Sequence, residues 1–186
     1  MNSKLIRYGL TLVYTSLIVL LYFILYKKPL AGIDDANIYF VYVRNFFLGN
    51  GFVYHPTGEH VEGFTSMLWV LLITPLYYTG KYFELTVLIV NIALVSLIFL
   101  NGINFINRLT EQRSFFSVPA VLFILTLTLV PAYIDWSILT LMETGLWSFL
   151  LVMITLLLCK QEIEKRDLVW FSIYLALLVV TRPESI

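Results

Sequence analysis

Long apolar runs constrain this chain more than any other feature. The first extends from about Leu10 to Tyr26, after Lys4 and Arg7, and with its flanks reaches the length of a membrane span. Because it exceeds the apolar region of a cleaved signal peptide, it predicts an uncleaved anchor. Hydrophobic residues make up 60% of the chain and charged residues 13%, against about 45–50% and about 25% in soluble domains. The sequence therefore predicts an all-α integral membrane protein.

Membrane spans are predicted over about 5–26, 83–106, 115–134, 141–159 and 168–181. The apolar stretch 64–79 is short and contains Pro75, so we predict a helix there that does not cross. This assignment puts every basic flank on the cytoplasmic side, as the positive-inside rule requires. Those flanks are Lys4 and Arg7, Arg108 and Arg113, and Lys160, Lys165 and Arg166.

The predicted arrangement is one multi-span helical module, 1–186, in the cell (inner) membrane, with a cytoplasmic N-terminus. Residues 27–82 form a long first outer loop on the periplasmic or extracellular face. Because the sequence stops at 182–186 directly after an apolar run, we expect it to be the N-terminal part of a longer protein.

Charge and cysteine content exclude several classes of protein. The 12 basic and 12 acidic residues balance, and neither a basic run nor zinc-finger spacing is present, so no nucleic-acid partner is expected. The single Cys159 excludes an internal disulfide. A transporter or channel would carry ionisable residues at mid-span depth, where only Asn91 and Asn101 are notably polar. Such asparagines are typical of helix–helix contacts.

The outer loop begins with an amphipathic helix, predicted over 34–48 and ended by Gly49 as its C′ residue. At 100° per residue its polar groups form one stripe, made of Asp34, Asn37, Arg44 and Asn45. Pro56 and Gly58 of the following "HPTG" suit a type I turn between two short extended pieces.

The residues leave three interpretations of Asp34 and Asp35 open. They can cap the helix and complement its dipole, contributing about 1–2 kcal/mol. They can act as a general base at the water–membrane boundary. They can also join a metal site, although the spacing matches no metal signature. Its further candidate ligands are Glu59, Glu62, His55 and His60.

Three segments carry a resemblance to a known family. The segment "IDDANIYFVYVRNFFLGNGFVYHPTGEHVEGFTSMLWVLL" (33–72) resembles the first outer loop of GT-C glycosyltransferases that use polyprenyl-phosphate sugars. The similarity is to the branch of the mycobacterial terminal arabinofuranosyltransferases. The later segments "LMETGLW" (141–147) and "TRPES" (181–185) match in the same order. His55 and Met67 depart from residues common in the family, and the chain is shorter than its members.

The resemblance implies a GT-C-like helical bundle and an inverting sugar transfer at the outer face. The donor is a polyprenyl-phosphate sugar, and the acceptor is a glycan, lipid or protein. Asp34 or Asp35 is the expected general base, with Asp34 favoured by the polar stripe. No cofactor is expected, and a divalent metal is an alternative that the resemblance does not favour. The alternative is a truncated, non-catalytic relative that binds lipid-linked sugar or a partner protein.

Other site residues have simpler competing explanations. Arg182 and Arg44 are the candidates for binding the donor phosphate, because guanidinium stays charged and suits phosphate; either can instead contact lipid headgroups. Two roles are open for Glu143: it can position the acceptor, or it can complete a capping box that begins at Thr140. The further acceptor-positioning candidates are Glu184, Asn37 and Glu62.

Overall fold

The computed structural model describes residues 3–26, 34–57 and 63–183, and the regular structure in these ranges is entirely helical. The α-helices are α1 (Ser3–Tyr26), α2 (Asp34–Phe47), α3 (Met67–Ile73), α4 (Phe83–Leu109), α5 (Val118–Leu129), α6 (Pro131–Ile134), α7 (Thr144–Leu158) and α8 (Lys165–Thr181). A 3-10 helix, Thr74–Tyr82, joins α3 to α4, and a π-helical segment, Asp135–Leu139, follows α6. The all-α prediction is confirmed.

Within these ranges, two stretches are long and apolar enough to cross a membrane, Leu5–Leu25 and Met67–Leu109. A third is present if Val118–Leu129 and Ala132–Leu139, bent by 76° relative to each other, form one span. The spans predicted over 141–159 and 168–181 correspond to α7 and α8, of 15 and 17 residues. A membrane protein is therefore supported, and the five-span arrangement stays a prediction.

The 43-residue stretch Met67–Leu109 is divided at Gly80. As one straight helix it would extend about 65 Å, twice the thickness of the hydrocarbon core. Gly80 instead has φ 57° and ψ −117°, which breaks the helix inside the 3-10 segment, shortly before α4 begins at Phe83. A residue with a Cβ rarely adopts this φ, so glycine permits the break. We predicted that the helix before Gly80 does not cross the membrane, and this stays a prediction.

Helix α4 is the centre of the bundle, with α1, α5 and α7 packed around it. Arg7 near the start of α1 donates from Nη1 to Asn104 Oδ1 near the end of α4, at 3.4 Å, so these two helices run antiparallel. Asn91, in the first half of α4, donates to the carbonyl of Met142 just before α7. The bundle therefore has one end with the start of α1 and the end of α4, and another with α2 and the start of α7.

The end of α2 follows the predicted cap and corrects the predicted polar stripe. Gly49 (φ 82°) donates to the Phe46 carbonyl and Asn50 donates to the Asn45 carbonyl, which together form a Schellman motif. The side chain of Asn45 is buried, and its Nδ2 donates to the Val53 and Tyr54 carbonyls at 2.8 and 2.9 Å. Asn45 thus fixes the following loop and does not belong to an exposed stripe.

Candidate active site

Helix α2 brings the first side chains to the site. Asp35 lies in its first turn with an exposed side chain, and Tyr39, one turn later, is buried. The Tyr42 hydroxyl accepts a hydrogen bond of 2.8 Å from the backbone N–H of Gly63, which ties α2 to the segment before α3. Asp34 is the first residue of α2, and its side chain lies outside the described part of the structure.

The backbone before α7 is held in an unusual conformation by two buried side chains. Leu141 has a left-handed φ of 60°. Its carbonyl accepts a hydrogen bond from Trp69 Nε1, and the next carbonyl, of Met142, accepts one from Asn91 Nδ2, both at 3.3 Å. Trp69 is itself fully buried on α3. Glu143, directly after these anchored carbonyls, is therefore fixed in place by α3 and α4.

Glu143 and Arg182 form a buried ion pair. Arg182 Nε lies 2.9 Å from Glu143 Oε1, and the two side chains are 30% and 0% exposed. The guanidinium carbon also lies 5.7 Å from the centre of the Trp147 ring, within the range of a cation–π contact. The second oxygen, Glu143 Oε2, is buried and accepts no hydrogen bond from any residue that the structure describes. A buried carboxylate oxygen without a donor is costly, and it suits a ligand hydroxyl.

Asp35, Glu143 and Arg182 line one pocket of about 190 Å³. Its walls come from α2, the segment before α3, the turn before α7 and the residue after α8. The lining residues are Asp35, Ile38, Tyr39, Gly63, Phe64, Thr65, Met142, Glu143 and Arg182. Pockets for drug-sized ligands usually measure about 300–1,000 Å³, so this one suits a single sugar ring or phosphate group with the rest of a ligand outside.

Tyr39 contributes a neutral phenol hydroxyl to the pocket wall. Burial raises the pKa of its phenol well above the usual range; the Thr65 hydroxyl lowers this pKa in part, and the nearby Glu143 carboxylate raises it further. Its hydroxyl lies 3.5 Å from Thr65 Oγ1, at the limit of a hydrogen bond. The pocket thus combines a guanidinium, two carboxylates and neutral hydroxyls, a set able to bind an anion, orient hydroxyl groups and accept a proton.

The structure brings together three of the predicted site residues and separates others. Asp35, Glu143 and Arg182 meet in the pocket, whereas Asn37 and Arg44 are exposed on α2 and do not line it. Glu62 and Glu184, like the Asp34 side chain, lie outside the described residues, as do Glu59 and His60 of the metal alternative. Within the described ranges there is no group of three or more His, Cys, Asp or Glu placed to hold a metal.

The predicted capping box at Thr140 is wrong. Helix α7 begins at Thr144, Glu143 is the residue before it, and the Glu143 side chain caps no backbone N–H. Thr140 instead donates to the Trp136 carbonyl at 2.9 Å. The π-helical turn delays the start of α7, and the carboxylate pairs with Arg182 instead.

Sequence reasoning missed Thr65 and the bracing role of Trp69. Thr65 carries no local signal, because only the fold brings it opposite Tyr39. Trp69 lies 72 residues from its hydrogen-bond partner Leu141, and neither helical periodicity nor residue type predicts that pairing.

Neither a protein-family model nor a curated protein nor a solved structure matches this chain.

Proposed function

We propose that this protein is a membrane glycosyltransferase that transfers a sugar from a polyprenyl-phosphate donor to a cell-envelope acceptor. The observation that carries the proposal is the shared pocket of Asp35, Glu143 and Arg182. These residues come from the three separate segments, 33–72, 141–147 and 181–185, on which the resemblance rests. Segments with a common catalytic role are expected to converge in this way.

In the proposed step, the base is Asp35 and not the favoured Asp34, because Asp35 lines the pocket. Its carboxylate takes the proton from the acceptor hydroxyl. The acceptor oxygen attacks the anomeric carbon from the face opposite the phosphate, and a new glycosidic bond forms with inversion. The bond between the anomeric carbon and the phosphate oxygen breaks, and polyprenyl phosphate leaves with the electron pair. Because phosphate is a good leaving group, one carboxylate base suffices, unlike glycoside hydrolysis with its paired carboxyl groups.

Arg182 is the proposed partner of the donor phosphate. Its guanidinium offers paired N–H donors that suit phosphate, and its side chain is 30% exposed beside the pocket. Glu143 holds Nε of that guanidinium at 2.9 Å, which limits its rotation and positions the charge. The second carboxylate oxygen, Oε2, then accepts a hydrogen bond from a hydroxyl of the bound sugar or acceptor.

The test is sugar transfer in membranes from cells that express the protein, using a panel of labelled polyprenyl-phosphate sugars. We expect Asp35→Asn to lower the rate by about 100-fold or more, the usual contribution of a general base. Asp34→Asn is assayed separately, because the base belongs to one residue of the pair. Glu84→Gln is the matched control, since this acidic residue lies in the first turn of α4 and does not line the pocket.

Wild-type rates in both aspartate variants would refute the catalytic proposal. Binding of lipid-linked sugar without transfer by the wild-type protein would instead support the non-catalytic alternative. Arg182→Gln is expected to raise KM for the donor. An unchanged KM would show that Arg182 does not bind the donor phosphate.

A further inference from the structure

A second and larger pocket lies at the other end of the bundle. It measures about 810 Å³ and is lined by the start of α1, the end of α4 and the turn that leads to α5. Its charged lining residues are Arg7, Arg108, Arg113 and Glu111. Three guanidiniums and one carboxylate give the pocket a net positive charge.

The three arginines have no acidic partner among the described residues. Arg7 instead donates to the neutral amide of Asn104, and its guanidinium carbon lies 5.3 Å from the centre of the Phe115 ring. Arg108 Nε donates to a backbone carbonyl at 3.3 Å. One carboxylate does not balance three guanidiniums that repel one another, so this pocket favours an anion.

The turn that closes the pocket is fixed by hydrogen bonds. Asn107 Nδ2 donates to the Phe115 carbonyl at 3.0 Å, and Asn107 Oδ1 accepts from the Ser117 hydroxyl. The Asn107 carbonyl accepts from the N–H of Gln112 at 2.8 Å, while Glu111 adopts a left-handed φ of 52°. The backbone that carries Arg108 and Arg113 is therefore held in a defined conformation beside the pocket.

The surroundings of the pocket indicate an amphiphilic ligand. The candidate span Leu5–Leu25 begins two residues before Arg7, which puts this guanidinium at the edge of the apolar layer. Large apolar side chains within three residues of a lining residue along the chain are exposed: Leu5, Leu10, Leu109, Phe116 and Val118. A soluble anion gains no favourable contact with these apolar side chains. A lipid can pack its acyl chains against them while its headgroup binds among the arginines.

We infer that this pocket binds the phosphate headgroup of an anionic membrane lipid, with the acyl chains lying along α1. Basic pockets between the ends of membrane helices are known to recognise such headgroups. The inference does not depend on the proposed sugar transfer, because the candidate active site contacts the first half of α4 and this pocket its last turns.

The experiment is native mass spectrometry of the purified full chain in detergent micelles, titrated with dioleoyl phosphatidylglycerol or with dioleoyl phosphatidylcholine. Wild type is expected to bind the anionic lipid in preference to the zwitterionic one. Each single Arg→Gln change, at Arg7, Arg108 or Arg113, is expected to lower the affinity for the anionic lipid by about fivefold. The triple Arg→Gln variant is expected to lower this affinity by about a hundredfold. Glu111→Gln removes the opposing charge and is expected to strengthen binding by about twofold to fivefold.

Two control variants separate pocket binding from general attraction. Arg166→Gln removes an exposed arginine at the start of α8, outside the pocket, and is expected to leave binding unchanged. A triple Arg→Lys variant keeps the charge and is expected to retain the preference for the anionic lipid. If the triple Arg→Gln variant fails to fold, the three single variants carry the test.

Wild-type affinity for phosphatidylglycerol in the folded single and triple Arg→Gln variants would overturn the inference. So would displacement of the lipid by millimolar inorganic phosphate, since that result would assign the pocket to a soluble anion. An equal loss on Arg166→Gln would also overturn it, because binding would then follow total charge.

Discussion

The ion pair between Glu143 and Arg182 makes a quantitative prediction about stability. Removing the guanidinium with Arg182→Gln leaves a fully buried carboxylate whose Oε2 already lacks a partner among the described residues. Breaking a buried pair costs about 3–5 kcal/mol. Because Arg182 is 30% exposed, water can reach part of this site, and we expect about 2–4 kcal/mol. The lost contact with Trp147 is included in that range.

Glu143→Gln should cost less than Arg182→Gln. The guanidinium left behind is partly exposed and can be hydrated, whereas the carboxylate is not exposed at all. Once Glu143 is neutral, removing Arg182 no longer strands a buried charge. The double variant Glu143→Gln/Arg182→Gln should therefore be more stable than the sum of the single losses predicts, by at least about 1 kcal/mol.

The assay is unfolding of the four proteins in one detergent, followed by circular dichroism. For a chain of this length, 2–4 kcal/mol corresponds to a fall in Tm of about 5–15 °C for Arg182→Gln. Arg182→Lys is the matched control, because it keeps the charge without the fork of donors, and an intermediate loss is expected. Strictly additive single losses would refute the coupling and with it the buried pair.

Two further predictions concern packing and pH. Gly145→Ala should destabilise the protein by about 1–3 kcal/mol, since its Cβ would lie 2.6 Å from a carbonyl oxygen of the π-helical segment. Gly9→Ala, with open space around it, should be neutral or stabilising in the same thermal unfolding assay, and equal losses would contradict the packing argument. Asp167 has its pKa lowered, first by the hydrogen bond from Lys160, and so stabilises the folded state fully only above its unfolded pKa of about 3.9. Urea unfolding should show wild type losing stability relative to Asp167→Asn as pH falls below about 4, and parallel pH curves would contradict this.

The sequence by itself determined the class of protein and much of its local structure. Apolar runs and low charge required membrane helices, because hydrocarbon leaves backbone N–H and C=O groups no partner outside a helix. Helix α2 and its Gly49 cap followed from periodicity and from the freedom of glycine at positive φ. Asp35, Glu143 and Arg182 were candidate site residues largely through the family resemblance, together with Asn37 and Arg44, which do not line the pocket.

Only the tertiary structure decided how those residues combine. The pairing of Glu143 with Arg182 and the anchoring of Leu141 by Trp69 join residues 39 and 72 positions apart. Helical periodicity describes neighbours three or four residues away and carries no information about such contacts. The same limit explains the failed capping box at Thr140, because the local pattern was satisfied while the π-helical turn moved the start of α7 to Thr144. Hydrogen bonds from Trp69 and Asn91 hold the Leu141 and Met142 carbonyls after that turn, next to the buried carboxylate that pairs with the arginine.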